Sequence, residues 1–334
     1  MGIRASSIRR AGLELSLALV MLAVLAPAAG QAAPGPGSSG PRTPLTTVPF
    51  NRAQASLSYD EGKRVTLMFG GEYFGAFMND TWAWNGTKWT LQFPKKSPSP
   101  RGGQGMVYDP VRRKILMFGG YDGNAYLNDT WLWNGRSWKA LNPATLPPGR
   151  ANMGMVWDAA RQQVVLFGGG SQGIFNDTWT WDGTNWTKLT PANSPSKRSD
   201  LAMAYDVTNQ KVVMFGGQGA STLGDTWTWD GTNWTKQIPA GSPDARWGPG
   251  MAWDRVRNQI VLFGGEGANF FPRGDTWIWD GTTWTQQFPT TSPLERFRMP
   301  MDWSPNDQVM LFGGVGVDSY ADTWTWDGTT WTQR

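Results

Sequence analysis

Six arginines stand seven positions before an aromatic residue. Arg52, Arg101, Arg150, Arg198, Arg246 and Arg296 precede Tyr59, Tyr108, Trp157, Tyr205, Trp253 and Trp303 in turn. Six aspartates keep the same beat at the head of an Asp-Thr-Trp triplet: Asp80, Asp129, Asp177, Asp225, Asp275 and Asp322. Guanidinium and carboxylate groups in equal number invite two chemistries. Either each Arg is tied up by an Asp and nearby carbonyls in a bidentate knot, or the six together line a mouth for an acidic ligand. After the N-terminal leader only Glu61, Glu72, Glu266 and Glu295 remain as glutamates. A Glu72/Glu266 pair is the one hydrolase route left open. The chain has no His and no Cys, which removes the commonest general base and the commonest metal ligands. No catalysis, no cofactor and no tightly bound transition metal are expected.

A repeat sets these spacings. Phe-Gly-Gly begins at Phe69, Phe118, Phe167, Phe215, Phe263 and Phe312, 48 or 49 residues apart, a period that marks a repeat architecture. In the fourth repeat Leu201 to Asp206 and Lys211 to Gly217 read as apolar strands. Asp225 to Asp230 alternates Thr and Trp with the period of two of a strand with one buried face. Asp230-Gly231 turns the chain back into a fourth strand, "NWTKQI". Four antiparallel strands repeated six times predict an all-β, six-bladed β-propeller; a solenoid is the alternative.

In that arrangement the Arg, the Asp and the loops after Phe-Gly-Gly share one end. Two strand spacings are about 9.6 Å, within reach of an Arg and an Asp together. The loops vary where the strands do not. They hold Tyr73, Tyr121, Tyr126, Phe270, Phe271 and Tyr320, which with the six Arg are the candidate binding residues. Eighteen of the 22 Trp fall in phrases such as "NDTWTWDGTNWTKL" (Asn176 to Leu189), three per repeat. One register for all of them favours packing between blades over a sugar-stacking platform. The second Gly of each Phe-Gly-Gly is expected to allow positive φ or a close approach.

The unit "VVLFGG … NDTWTWDG … W" resembles the kelch repeat, and in particular exported bacterial kelch proteins of the galactose-oxidase-propeller type. The resemblance runs from Arg52 to Arg334. It implies a binding or scaffold module, with protein partners foremost, since related kelch domains use Arg at this strand entry to hold acidic peptides. The copper oxidase chemistry of that propeller needs His and a Cys–Tyr crosslink, so it does not carry over. Many exported relatives have a His three residues after the repeat Arg, where this chain has Ala55, Gln104, Met153, Leu201, Pro249 and Met299. The "TWDGTTW" phrase also resembles a sialidase-type Asp box with one residue missing. That keeps a glycan-binding propeller, and more distantly a glycoside hydrolase, as alternatives.

Residues 1–32 read as a secretory signal peptide, with Arg4, Arg9 and Arg10 before an apolar run and small residues near Ala32. A Pro/Gly/Ser-rich linker over 33–47 leads to the propeller over 48–334. Removing the leader takes Arg4, Arg9, Arg10 and Glu14 and lowers the formal charge from +4 to +2, which argues against nucleic-acid binding. The expected location is secreted or periplasmic/extracellular, with no membrane span after signal removal and a protein or glycan ligand outside the cytoplasm. "TPLTTVPF" is a candidate closing strand for the last blade, whose final strand is short.

Overall fold

The structure, a computed structural model, describes residues 48–334. The leader over 1–32 and the linker over 33–47 lie outside the described residues. Within blade 4 the strands are Ala202–Asp206, Lys211–Gln218, Thr222–Trp229 and Trp234–Gln237. Alternating Thr and Trp put Trp227 opposite Met214 and Trp229 opposite both Val212 and Trp234. Four residues, not two, join the last two strands. There Asp230 Oδ1 accepts the amides of Thr232 and Asn233 and the Thr232 hydroxyl, while Gly231 takes φ 98°. Six sheets of this kind, each of four antiparallel strands in chain order, make a six-bladed propeller. No helix occurs among the described residues.

The innermost strands are Ser56–Asp60, Gly105–Asp109, Gly154–Asp158, Ala202–Asp206, Gly250–Asp254 and Met301–Ser304. They stand side by side around an axial channel, the first beside the last. Among the described residues each blade is built from its own four strands. Blade 6 ends on its own Trp331–Gln333, and Val48, Pro49 and Phe50 add no strand. The part of the "TPLTTVPF" expectation that falls on 43–47 lies outside the described residues.

Closure comes from bonds that repeat at every seam. The outermost strand's Trp donates Nε1–H to the Thr of the preceding blade's Asp-Thr-Trp, as in Trp186 to Thr130 and Trp234 to Thr178, at 3.0–3.1 Å. Trp89 closes the circle onto Thr323 at 2.9 Å. The same ring meets the Phe of the preceding Phe-Gly-Gly edge to face, for example Phe167–Trp234 at 5.1 Å and Phe312–Trp89 at 5.3 Å. The middle Trp of each phrase tilts against it, as Trp181 does on Trp186 at 5.4 Å. The first Trp gives its indole N–H to the repeat Asp, as Trp227 does to Asp225 at 2.7 Å. The three rings therefore have three separate tasks, and packing between blades holds them all.

Both glycines of Phe-Gly-Gly take positive φ, not only the second. The physical reason is close backbone approach, from the next blade at the first Gly and from the same blade at the second. A Cβ on Gly216 would come 2.5 Å from the Arg246 carbonyl oxygen, and one on Gly217 2.8 Å from that of Ser199. Gly154 serves a different approach: a Cβ there would collide with Met203 Sδ, which lies over it from the adjacent blade.

Candidate functional site

At the end where the innermost strands begin, each repeat Arg is enclosed by its own blade. Arg198 donates Nη1–H to Asp225 Oδ1 at 2.7 Å and to the Gly216 carbonyl at 3.0 Å. It donates Nη2–H to Asp225 Oδ2 at 3.0 Å and Nε–H to the Ser196 carbonyl at 3.0 Å. The other pairs are Arg52–Asp80, Arg101–Asp129, Arg150–Asp177, Arg246–Asp275 and Arg296–Asp322. All six Arg are 0–1% exposed. Their donors are consumed inside the blade, so the geometry is that of the knot and not of an open guanidinium mouth. Burial pushes the carboxyls of Asp177, Asp225 and Asp275 up. Hydrogen bonds from the paired Arg and the neighbouring indole outweigh it and hold them below the usual carboxylate range.

Two residues beyond each Arg the backbone forms a closed collar. Gln54, Gly103, Asn152, Asp200, Gly248 and Arg298 each donate their amide to the carbonyl of the preceding member, at 2.7–3.0 Å, and Gln54 closes onto Arg298. All six have φ between 52° and 68°. This column is inconspicuous in the sequence. Its mixed residue types hide a purely backbone role, although two Gly, one Asn and one Asp signal the left-handed conformation.

The collar's side chains are unequal around the ring. On the side of blades 4 to 6, Arg298 Nε donates to Asp200 Oδ1 at 3.0 Å, and its guanidinium lies 4.9 Å from the centre of the Trp247 ring. Trp247 meets Phe297 edge to face at 4.7 Å. Glu266, 8% exposed, sits nearby. Burial raises its carboxyl above the usual range, with Arg298 pulling it down and Asp200 pushing it up. Glu72 lies in the loop after the first Phe-Gly-Gly. Its Oε1 accepts the Gly75 amide.

The loop aromatics form the outer part of this end. Phe270 and Phe271 are 68% and 65% exposed. Tyr73 is exposed and packs edge to face on the exposed Phe74 at 4.5 Å. Tyr121 is held between Phe77 and Tyr126, and its hydroxyl donates to the Gly123 carbonyl. Tyr320 lies over the Arg296 guanidinium at 4.1 Å, as Phe175 does over Arg150 at 4.0 Å. Tyr121 is thus partly engaged by its own loop and by Phe77 of the neighbouring blade, and Tyr320 by Arg296 of its own blade, whereas Tyr73, Tyr126, Phe270 and Phe271 face outward.

Exposed aromatic rings keep to one set of connections. Phe50, Tyr73, Phe74, Tyr126, Phe270 and Phe271 precede an innermost strand or sit in the loops after Phe-Gly-Gly; Phe93 and Phe288 lead from an outermost strand to the next blade's Arg. The turns at the opposite ends of the strands expose only Val111, Val207 and Val256 among large apolar residues. No cluster of three or more acidic, His or Cys residues suited to a metal ion occurs among the described residues.

A propeller of four-stranded blades with Phe-Gly-Gly strand ends, buried Arg–Asp knots and one Trp register is the architecture of kelch repeats. The chain belongs to the Kelch-repeat family: residues 41–217 match the family model of the KLHDC2/KLHL20/DRC7 Kelch-repeats domain. A comparison with curated proteins gives no match.

Proposed function

We propose that this kelch propeller is an exported, non-catalytic protein-interaction module that binds through its loop end. The observation that carries the reading is the confinement of exposed aromatic rings to connections leading to that end, with Phe270 and Phe271 the most prominent pair in the loops after Phe-Gly-Gly. Aromatic side chains on a rigid scaffold supply contact area at low entropic cost and are the usual anchors of protein interfaces. The buried Arg–Asp knots belong to the scaffold that holds those loops in place. Export rests on the leader read over residues 1–32, and N-terminal sequencing of the secreted protein tests it. A chain starting near Ala33 is the expected result.

The test of binding is affinity capture from the native secretome, run beside a glycan array. A protein retained by wild type and lost with Phe270→Ser/Phe271→Ser supports the reading. Glycan retention with no captured protein overturns it in favour of a lectin-like propeller.

A further inference from the structure

The axial channel is divided into two chambers. Leu57, Met106, Met155, Met203, Met251 and Met301 occupy one register of the innermost strands and line both. The chamber beneath the collar holds about 200 Å³, and the one at the opposite end about 550 Å³. The larger volume falls in the range of small-molecule sites. Its lining includes a second ring, Tyr59, Tyr108, Trp157, Tyr205, Trp253 and Trp303, of which Trp157 and Trp253 are half-buried and the others are buried between blades.

This wall carries an unbalanced charge. Its only ionisable acid and base side chains are Glu61, Arg255 and Asp302. Arg255 is paired with Glu61 through Nη1 and lies over the Tyr59 ring at 5.3 Å. Asp302 has no cation of its own. It stands where the other innermost strands carry Ser58, Val107, Val156, Ala204 and Ala252, so packing in this register does not call for a carboxylate. Its Oδ2 accepts the Tyr59 amide at 2.9 Å across the seam between blades 6 and 1, and Oδ1 accepts the Trp303 amide.

The geometry points to the larger chamber as a binding site for a compact organic cation, an alkyl- or quaternary ammonium, held by the aromatic ring and the Asp302 carboxylate over a floor of thioethers. Aromatic faces attract ammonium groups through their quadrupole, and caged sites strengthen that attraction by excluding water. Polarizable Met side chains adapt to alkyl groups without competing for charge. The guanidinium of Arg255 over Tyr59 is an internal instance of the same contact. Burial lifts the Asp302 carboxyl above its usual range, with Arg255 pulling it down; a bound cation would favour its ionised form.

Isothermal titration with choline and with its neutral isostere 3,3-dimethylbutan-1-ol tests the assignment on the intact chain. Choline is expected to bind once per chain and the isostere at least about tenfold more weakly. Asp302→Asn should weaken choline about tenfold and leave the isostere's affinity unchanged. Should that variant fail to fold, Trp253→Leu carries the same expectation for choline. Equal binding of the two probes, binding of neither, or undiminished choline binding by a folded variant overturns the proposal.

Discussion

Arg198 and Asp225 lie side by side in blade 4, joined by two parallel bonds of 2.7 and 3.0 Å, with the Trp227 indole donating to the same carboxylate. Removing the Arg leaves that half-buried carboxylate with the Trp227 indole as its one side-chain donor. Arg198→Ala is expected to destabilise by about 3 kcal/mol. Arg198→Lys should restore only part of this, because an ammonium cannot form the bidentate fork. Denaturant unfolding checks both variants. The cost should also follow burial: Asp177 is 12% exposed and Asp129 36%, so Arg150→Ala should cost more than Arg101→Ala.

Trp181 is 1% exposed and packs on Trp186 and the apolar strand ahead of it. Trp181→Ala opens a cavity between blades 2 and 3 and is expected to cost about 3–5 kcal/mol. Trp186→Phe keeps most of the volume but removes the bond to Thr130 Oγ1. Its cost should be about 1 kcal/mol beyond the loss of ring area. Thermal melts of the two variants separate cavity from hydrogen bond.

The carboxyls of Asp177, Asp225 and Asp275 titrate below their unfolded range, whereas those of Glu266 and Asp302 titrate above it. The depressed group stabilises fully above the unfolded value of about 4 and loses that contribution as pH falls through the folded values. The raised pair has the opposite sign, favouring the folded state as pH falls through their folded values toward about 4. The melting temperature should therefore rise modestly from neutral pH to mildly acidic pH and then drop below about pH 4. Asp302→Asn should flatten the rise and leave the acid limb in place.

Much of this architecture is written in the chain. The spacing of Phe-Gly-Gly and the Thr/Trp alternation determine blade number, strand order and the end at which the Arg and loops gather, because both patterns are local. Pairing of Arg198 with Asp225 is likewise legible, since strand spacing puts the two within reach. What periodicity hides is whatever breaks it once. Asp302 differs from its column by a single residue, and only the folded channel shows that this column lines a chamber. The collar is hidden for the reverse reason: Gln54, Asn152 and Arg298 share a backbone conformation that their side chains do not announce. The positive φ at the first Gly of Phe-Gly-Gly depends on the next blade's Arg carbonyl, a contact no single repeat contains.

The loop-end reading is tested most directly by hydrogen exchange on the complex with a partner captured from the secretome. Protection should appear in the loops around Tyr73, Tyr126 and Phe270–Phe271 and leave the turns at Val111, Val207 and Val256 exchanging as in the free protein. Protection confined to those turns, with the loops unchanged, would contradict the account.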